Sequence, residues 1–166
     1  KNIEQKIDSL LSQMTIKEKV GQLNQLDGRG TIEEFKVLIR KGEIGSVMNV
    51  TDPKVVNELQ EIACKESQTG IPLVFTRDVV HGFKTMLPIP LGQAATFNPE
   101  LVEQGARMAA VEATEHGVRW SFAPMIDISR DSRWGRIAES FGEDTYLTNK
   151  MAVAVVKGFQ NGDLSN

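Results

Sequence analysis

The sequence predicts an α/β fold, because short apolar strand patterns alternate with helical patterns along most of the chain. Three segments, 43–50, 71–76 and 118–126, are short, apolar and bounded by turn residues, as buried strands are. A helical pattern follows each of them and begins with an Asp-Pro, Asn-Pro or Asp start signal. Strands that alternate with helices in this way pair in parallel through right-handed crossovers.

Residues 1–42 predict a helical segment that precedes these strands. Apolar residues at helical spacing indicate a first helix over 2–13, and a capping box of Thr15 and Glu18 starts a second. A glycine-marked loop and a third helical pattern, from about 31 to 41, complete the segment. The chain therefore divides into a helical start and the strand–helix units of 43–166.

Two layouts of these units remain open on periodicity alone. They fit an open doubly wound sheet or part of a (β/α) barrel, and the helices are predicted over 53–68, 99–116 and 145–159. A complete barrel needs about 250 residues. A barrel in this 166-residue chain is therefore expected to be incomplete.

The composition argues against several classes of partner and cofactor. The net charge is -3, so no electrostatic field favours nucleic acid or an anionic membrane. One cysteine, Cys64, and two histidines, His81 and His116, are too few for a disulfide, a cysteine-based zinc site or a histidine cluster. No run approaches the roughly 20 apolar residues that a membrane helix requires. We expect no cofactor, no metal, no nucleic-acid partner and no membrane partner.

Two long connections, 77–97 and 127–143, follow predicted strands and carry unusual residues. Both begin at the carboxyl ends of parallel strands, where α/β folds of either layout bind their ligands. Carboxylates and guanidinium groups hydrogen-bond vicinal hydroxyls, and an aromatic ring covers a C–H face, so a neutral sugar suits the set. The candidate binding residues are Asp78, His81, Arg133, Trp134, Arg136 and Glu139.

Each candidate also has a purely structural interpretation. Asp78 could cap a turn, and His81 could be a buried histidine with satisfied hydrogen bonds. Arg133 and Arg136 could pair with nearby carboxylates as ordinary surface ion pairs. The residue types alone do not decide between these alternatives.

The order of the motifs is more specific than any one of them. "MTIKEKVGQL", "RDVVHG" and "RDSRWGRIAESFGED" occur in that order, and the likeness extends from the first of them to "GFQ" near the end. Together they resemble the N-terminal barrel domain of glycoside hydrolase family 3, of the bacterial β-glucosidase type. The resemblance implies the N-terminal part of a (β/α)8 TIM-type barrel, with about three to four strand–helix units after the helical segment. Residues 1–166 would then form a partial domain of that family.

The resemblance also implies roles for the candidates. The aspartate of the D-V-x-H-G motif, here Asp78, hydrogen-bonds sugar hydroxyls in the first subsite of such enzymes, together with Arg136 and Glu139. Arg133 and Trp134 would shape the loop. His81, by the same resemblance, would support the site rather than the chemistry.

The function implied is that of a retaining, exo-acting β-glycosidase, most simply a β-glucosidase of the periplasm or the extracellular space. Its substrate would be a β-glucoside or an oligosaccharide with terminal β-linked glucose. Hydrolysis with retention of the anomeric configuration needs two carboxyl groups about 5–5.5 Å apart. By the same resemblance, the sequence ends before the motifs that carry these two groups in the family. We therefore expect no catalytic residue in this chain, no activity by it alone, and the missing C-terminal part of the same protein as its partner.

Three alternatives stay open at this stage. The same family contains β-xylosidases and β-N-acetylglucosaminidases, which would use a similar sugar-binding loop. A non-catalytic α/β sugar-binding module or a purely structural half barrel would also fit the pattern of strands and helices. Self-association would favour the half barrel, because it leaves apolar strand edges exposed.

Overall fold

The computed structural model describes residues 2–29 and 31–161 of the chain. The last glycine of the predicted loop, Gly30, and the terminal residues 162–166 lie outside the described residues. The helices are α1 (Ile3–Gln13), α2 (Ile16–Gln22), α3 (Ile32–Arg40), α4 (Pro53–Lys65), α5 (Pro90–Ala94), α6 (Pro99–Glu115) and α7 (Thr145–Gln160). The strands are β1 (Gln25–Asp27), β2 (Ser46–Met48), β3 (Val74–Arg77) and β4 (Trp120–Ser121), and a 3-10 turn spans Ile137–Glu139.

The chain forms two compact units. Unit 1 comprises Lys1–Arg77 and His116–Trp120, and unit 2 comprises Asp78–Glu115 and Ser121–Asn166. Unit 1 contains the strands β1, β2 and β3, whereas unit 2 contains the long helices α6 and α7.

The sheet has the strand order β1-β2-β3-β4. β1 pairs with β2 and β2 pairs with β3, both in parallel, with Gln25, Ser46 and Val74 in register. Each strand therefore lies beside its neighbour in sequence. A doubly wound sheet reverses its strand order at a switch point, so the sequential order favours the barrel layout over that alternative.

The core of unit 1 lies between one face of this sheet and the helices α3 and α4. Val47 and Phe75 occupy matching positions on β2 and β3, and both are almost fully buried. Side chains alternate between the faces of a strand, so these two residues share the face that packs on the helices. The buried cluster also contains Phe35 and Ile39 from α3 and Val56, Leu59 and Ile62 from α4.

The core of unit 2 is built mainly between α6 and α7. Small residues on α6, such as Ala106, allow a close approach of α7, which contributes Met151 and Val155. Phe141 enters the same cluster from the connection that precedes α7. This core therefore supports one end of the candidate loop, because Phe141 follows the "RDSRWGRIAES" stretch directly.

Four of the predicted helix starts are confirmed by side-chain caps, which satisfy amide groups that a helix leaves unpaired; Thr31, at the start of α3, makes no such cap. In every capped helix the capping oxygen accepts a hydrogen bond from an amide of the first turn. The capping residues are Thr15, Asp52, Asn98 and Asp144, and their donors are the N–H groups of Glu18, Lys54, Leu101 and Leu147.

Several predicted boundaries differ from the structure. The predicted strands 43–50, 71–76 and 118–126 shorten to β2, β3 and β4, and β3 begins and ends later than its pattern suggests. The last of these segments contains Pro124, which has no N–H group to donate to a sheet. An apolar run therefore overstates the length of the strand that forms.

Two elements were absent from the sequence-based prediction. β1 lies within what was predicted as a loop, and its three residues are too few to show an alternating pattern. α5 lies within the connection 77–97, which was predicted as a loop, although Pro90 fits the first position of a helix. With β1 included, four strands each precede a helix in the chain, in agreement with the predicted three to four units.

No helix within the described residues is both long and apolar enough to cross a membrane.

Candidate functional site

The first half of the connection 127–143 is an exposed turn stabilised by Asp131. The Asp131 carboxylate accepts hydrogen bonds from the backbone N–H of Arg133 at 2.9 Å and from its side-chain Nη2 at 2.6 Å. These bonds from Arg133 lower the pKa of Asp131 below its ordinary value. The Arg133 side chain is 88% exposed. Arg133 and Asp131 therefore form an ordinary surface ion pair, which is the structural alternative considered for Arg133.

Arg136 and Glu139 form a second ion pair of the connection. The guanidinium donates from Nε to one carboxylate oxygen at 3.1 Å and from Nη2 to the other at 2.7 Å. Such a two-bond pair fixes the planes of both groups. The hydrogen bonds from Arg136 lower the pKa of Glu139, and Glu139 in turn raises the pKa of Arg136.

Asp78 and Asp127 lie within electrostatic range of this pair. After the dominant effect of Glu139, the negative charges of Asp127 and Asp78 also raise the pKa of Arg136. The Asp78 carboxylate of the first connection and the Arg136 guanidinium of the second therefore interact electrostatically within unit 2. Asp127 was not among the candidates, although it comes directly after the predicted strand 118–126, which is the signal that could have identified it.

The loop that begins at Asp78 is held by backbone contacts of His81. Its imidazole Nδ1 lies 2.9 Å from the carbonyl oxygen of Leu87, and the N–H of Leu87 donates to the carbonyl of His81 at 2.8 Å. His81 is thus engaged within its own loop. This geometry agrees with a supporting role for His81, because Nδ1 already contacts the loop.

Glu112 on α6 holds the tip of the same loop. Its carboxylate accepts hydrogen bonds from the backbone N–H groups of Lys84 and Thr85, at 2.8 and 2.9 Å, and from the Thr85 hydroxyl at 2.6 Å. The sequence analysis did not single out Glu112, because nothing in a helical pattern distinguishes it from other exposed helix residues.

Trp134 lies beside an open depression of about 700 Å³ on the connection 127–143. Its side chain is 36% exposed, so one part of the indole is available to a ligand. The other residues that line the depression are Ile128, Ser129, Arg130, Asp131 and Arg133.

The charges around Arg136 suit a neutral ligand with many hydroxyl groups. Three carboxylates, Asp78, Asp127 and Glu139, act on one guanidinium, so acceptors for hydroxyl protons are in excess. Within residues 2–29 and 31–161, no group of histidine, cysteine, aspartate or glutamate side chains is arranged to hold a metal ion.

A comparison with known protein families identifies the family of this chain. The model of the glycosyl hydrolase family 3 N-terminal domain matches residues 15–166. The chain belongs to glycoside hydrolase family 3. The resemblance inferred from the motifs is thereby confirmed.

Individual relatives from this family agree with that assignment. The chain is 40% identical to the periplasmic beta-glucosidase of Salmonella typhimurium, over 93% of its own length and 20% of the relative's length. It is 32% identical to a putative beta-xylosidase of Formosa agariphila, over 95% of its own length and 24% of that protein. The chain therefore spans about a fifth to a quarter of the length of these family 3 relatives.

Solved family 3 structures share the fold. A beta-glucosidase from Listeria innocua in complex with glucose superposes on 97% of this chain, and on 24% of its own, with a TM-score of 0.86 at 38% identity. The same enzyme in complex with isofagomine gives a TM-score of 0.85 at 40% identity. This similarity and the parallel sheet confirm the predicted fold class, an α/β fold that forms part of a TIM-type barrel domain.

Proposed function

We propose that the whole protein is a retaining, exo-acting β-glucosidase and that this chain supplies part of its sugar-binding site. Membership of glycoside hydrolase family 3 supports the reaction class. The observation that carries the role of the site is the electrostatic coupling of Asp78 to the Arg136–Glu139 pair, because it unites both candidate connections.

In this proposal Asp78 and Glu139 accept hydrogen bonds from sugar hydroxyls, and Arg136 donates to sugar oxygens. Contacts of this kind contribute to the rate when they strengthen as the sugar ring distorts toward the transition state. Trp134 and Arg133 shape the loop beside them, and His81 supports the loop of Asp78. The catalytic carboxyl pair lies elsewhere in the whole protein, so residues 1–166 alone are expected to be inactive.

The proposed substrate is terminal β-linked glucose on an oligosaccharide or a glucoside. Relatives named as β-glucosidases, and the Listeria innocua complexes with glucose and with laminaribiose, support this choice. A β-xylosidase is the second candidate, because a relative at 32% identity is named as one. Xylose lacks the hydroxymethyl group of glucose, so paired aryl glucosides and xylosides distinguish the two.

We place the whole protein in the periplasm or outside the cell. Two relatives, from Salmonella typhimurium and Dickeya chrysanthemi, are named as periplasmic enzymes, which supports this location. Fractionation of the native host with an antibody against this chain tests the proposal, and a purely cytoplasmic signal would contradict it.

The role of Asp78 is tested by hydrolysis of an aryl β-glucoside with the whole protein. Hydrogen bonds to a charged group contribute about 1.5–3 kcal/mol, so Asp78→Ala is expected to reduce kcat/KM by roughly 10- to 150-fold. Asp8→Ala, at an exposed position of α1, serves as the matched control.

Three results would contradict the proposal in different ways. An unchanged kcat/KM for Asp78→Ala removes this residue from the site. Hydrolysis by residues 1–166 alone, at a rate near that of the whole protein, shows that the assignment of the catalytic pair to another part is wrong. Binding of glucose without hydrolysis by either polypeptide favours the non-catalytic sugar-binding module.

A further inference from the structure

The segment from Ser129 to Gly142, which we name the arginine loop, has ends that are tied together. The backbone N–H of Ser129 donates to the carbonyl of Gly142 at 3.0 Å. The hydroxyl of Ser129 also donates to the hydroxyl of Ser140. Two residues eleven positions apart in the chain are therefore joined side chain to side chain at the base of the loop.

The Ser140 hydroxyl makes three hydrogen bonds at the base of the loop, and we call its bond to Ser129 the serine tie. Its hydroxyl accepts from Ser129 and from the backbone N–H of Gly142 at 3.2 Å, and it donates to the carbonyl of Ile137 at 3.1 Å. A serine hydroxyl has one donor and two acceptor positions. All three are used by Ser140, which leaves no capacity for a ligand or for water.

Ser129 and Ser140 are buried, whereas the outer part of the arginine loop is exposed. Ser140 is 0% exposed and Ser129 is 6% exposed, whereas residues 130–136 are all exposed. The exposed part has no large aliphatic residue that could pack it on a core. Hydrogen bonds in a buried setting are stronger than those at the surface, so the serine pair restrains the base of the loop together with the backbone hydrogen bond from Ser129 to Gly142.

The position of Ser140 links this restraint to the sugar-binding residues. Ser140 directly follows Glu139, and its hydroxyl bonds to Ile137, which directly follows Arg136. The hydroxyl and the backbone N–H of Ser140 both donate to the carbonyl of Ile137, the first residue of the 3-10 turn that ends at Glu139. Exposed ion pairs hold their own geometry weakly, so the pair depends on this turn for its position.

We infer that Ser140, with Ser129, is a positioning residue for sugar binding and acts through Arg136 and Glu139 without touching the sugar. The inference rests on the proposed function of that pair. A misplacement of about 1 Å can reduce a rate by about 100-fold. Loss of the serine tie is therefore expected to weaken recognition of the sugar and to open the loop.

The first measurement follows the loop itself and needs no sugar. Trypsin cleaves after arginine, and Arg130, Arg133 and Arg136 all lie in the arginine loop. Cleavage of a native protein reports the population of locally open states. In the whole protein, Ser140→Ala is expected to raise cleavage at these sites by roughly 100-fold, since it removes three hydrogen bonds of about 1 kcal/mol each.

The second measurement follows the sugar site in the whole protein. Isofagomine, which binds the Listeria innocua relative, serves as the probe. Ser140→Ala is expected to weaken its affinity at least tenfold at a temperature where both proteins remain folded. Ser129→Ala removes only the serine tie and is expected to have a smaller effect in the same direction, which keeps the test available if Ser140→Ala fails to fold.

The matched control is Ser132→Ala, which makes the same substitution at an exposed position of the same loop. It is expected to change neither cleavage nor affinity. The double variant Ser129→Ala with Ser140→Ala is expected to be no worse than Ser140→Ala alone, because both remove one shared network.

Each outcome has one meaning. Faster cleavage with weaker isofagomine binding supports the inference. Unchanged cleavage, or faster cleavage with unchanged affinity, overturns it while the proposed function stands. If the unsubstituted protein does not bind isofagomine, the proposed function fails, and the positioning role fails with it.

Discussion

A close approach of two helices in unit 2 provides a sharp test of the packing that supports the site. A β-carbon added at Gly158 on α7 would lie 2.7 Å from Cβ of Ala106 and 2.9 Å from the backbone nitrogen of Arg107 on α6, and closer still to the carbonyl oxygen of Glu103. Two of these three atoms belong to the backbone, so no side-chain rotation relieves the contact. Gly158→Ala therefore forces α6 and α7 apart.

The expected magnitude combines two opposing effects. Overpacking a well-packed interface costs about 1–3 kcal/mol, and contact with backbone atoms favours the upper end of that range. Replacing glycine by alanine inside a helix contributes about 1 kcal/mol in the opposite direction. The net loss is about 2 kcal/mol, which lowers the Tm of a chain of this size by roughly 4–8 °C.

Gly105→Ala on α6 is the matched control, because it gains the same helix propensity. A β-carbon at Gly105 would meet only the side chain of Leu87, with its nearest methyl at 3.0 Å, and a leucine can rotate away. Thermal unfolding by circular dichroism is expected to show a lower Tm for Gly158→Ala and an unchanged or higher one for Gly105→Ala. Equal Tm values for Gly158→Ala and the unsubstituted chain would refute this account of the interface.

Two further predictions concern single polar groups. The hydroxyl of Thr148 is buried and has no hydrogen-bond partner within the described residues, so Thr148→Val is expected to raise the free energy of unfolding in urea by about 1 kcal/mol; a lower value would show that the hydroxyl is satisfied in solution. The pKa of Glu18 is lowered by hydrogen bonds from the backbone and the hydroxyl of Thr15. Its carboxylate therefore stabilises the fold above the ordinary glutamate pKa of about 4.3 and loses this effect as the pH falls through the lowered pKa. The urea midpoints of the unsubstituted chain and Glu18→Gln are expected to differ at neutral pH and to converge in acid; a constant difference would contradict the shift.

Local signals predicted the parts of the fold that depend on local chemistry. Helix starts at Asp52 and Asp144 were predictable because a capping carboxylate needs only the amides of its own first turn. Strand ends were less predictable, because a strand exists only where a neighbour pairs with it. β1 shows this most clearly, since its residues gain their regular structure from pairing with β2 and not from their own pattern.

The candidate site divides in the same way. Asp78 and Arg136 were candidates because they follow predicted strands, and the topology of parallel sheets brings such positions to one edge. Glu112 could not be found, since its role depends on amides 27 and 28 residues away in the chain. Ser140 was equally hidden, because only burial distinguishes its hydroxyl from that of any surface serine.

The composition of the arginine loop is explained by binding better than by stability. Its ion pairs are exposed, and surface pairs contribute about 0–1 kcal/mol each, so Arg133 and Arg136 add little to folding. Trp134 beside them is 36% exposed and leaves part of its apolar surface in contact with water. The stabilising groups, Ser129, Ser140 and Phe141, lie at the base, where they are buried. A loop whose base is buried and whose exposed face is charged and aromatic supports the proposal that this face binds a hydroxyl-rich ligand.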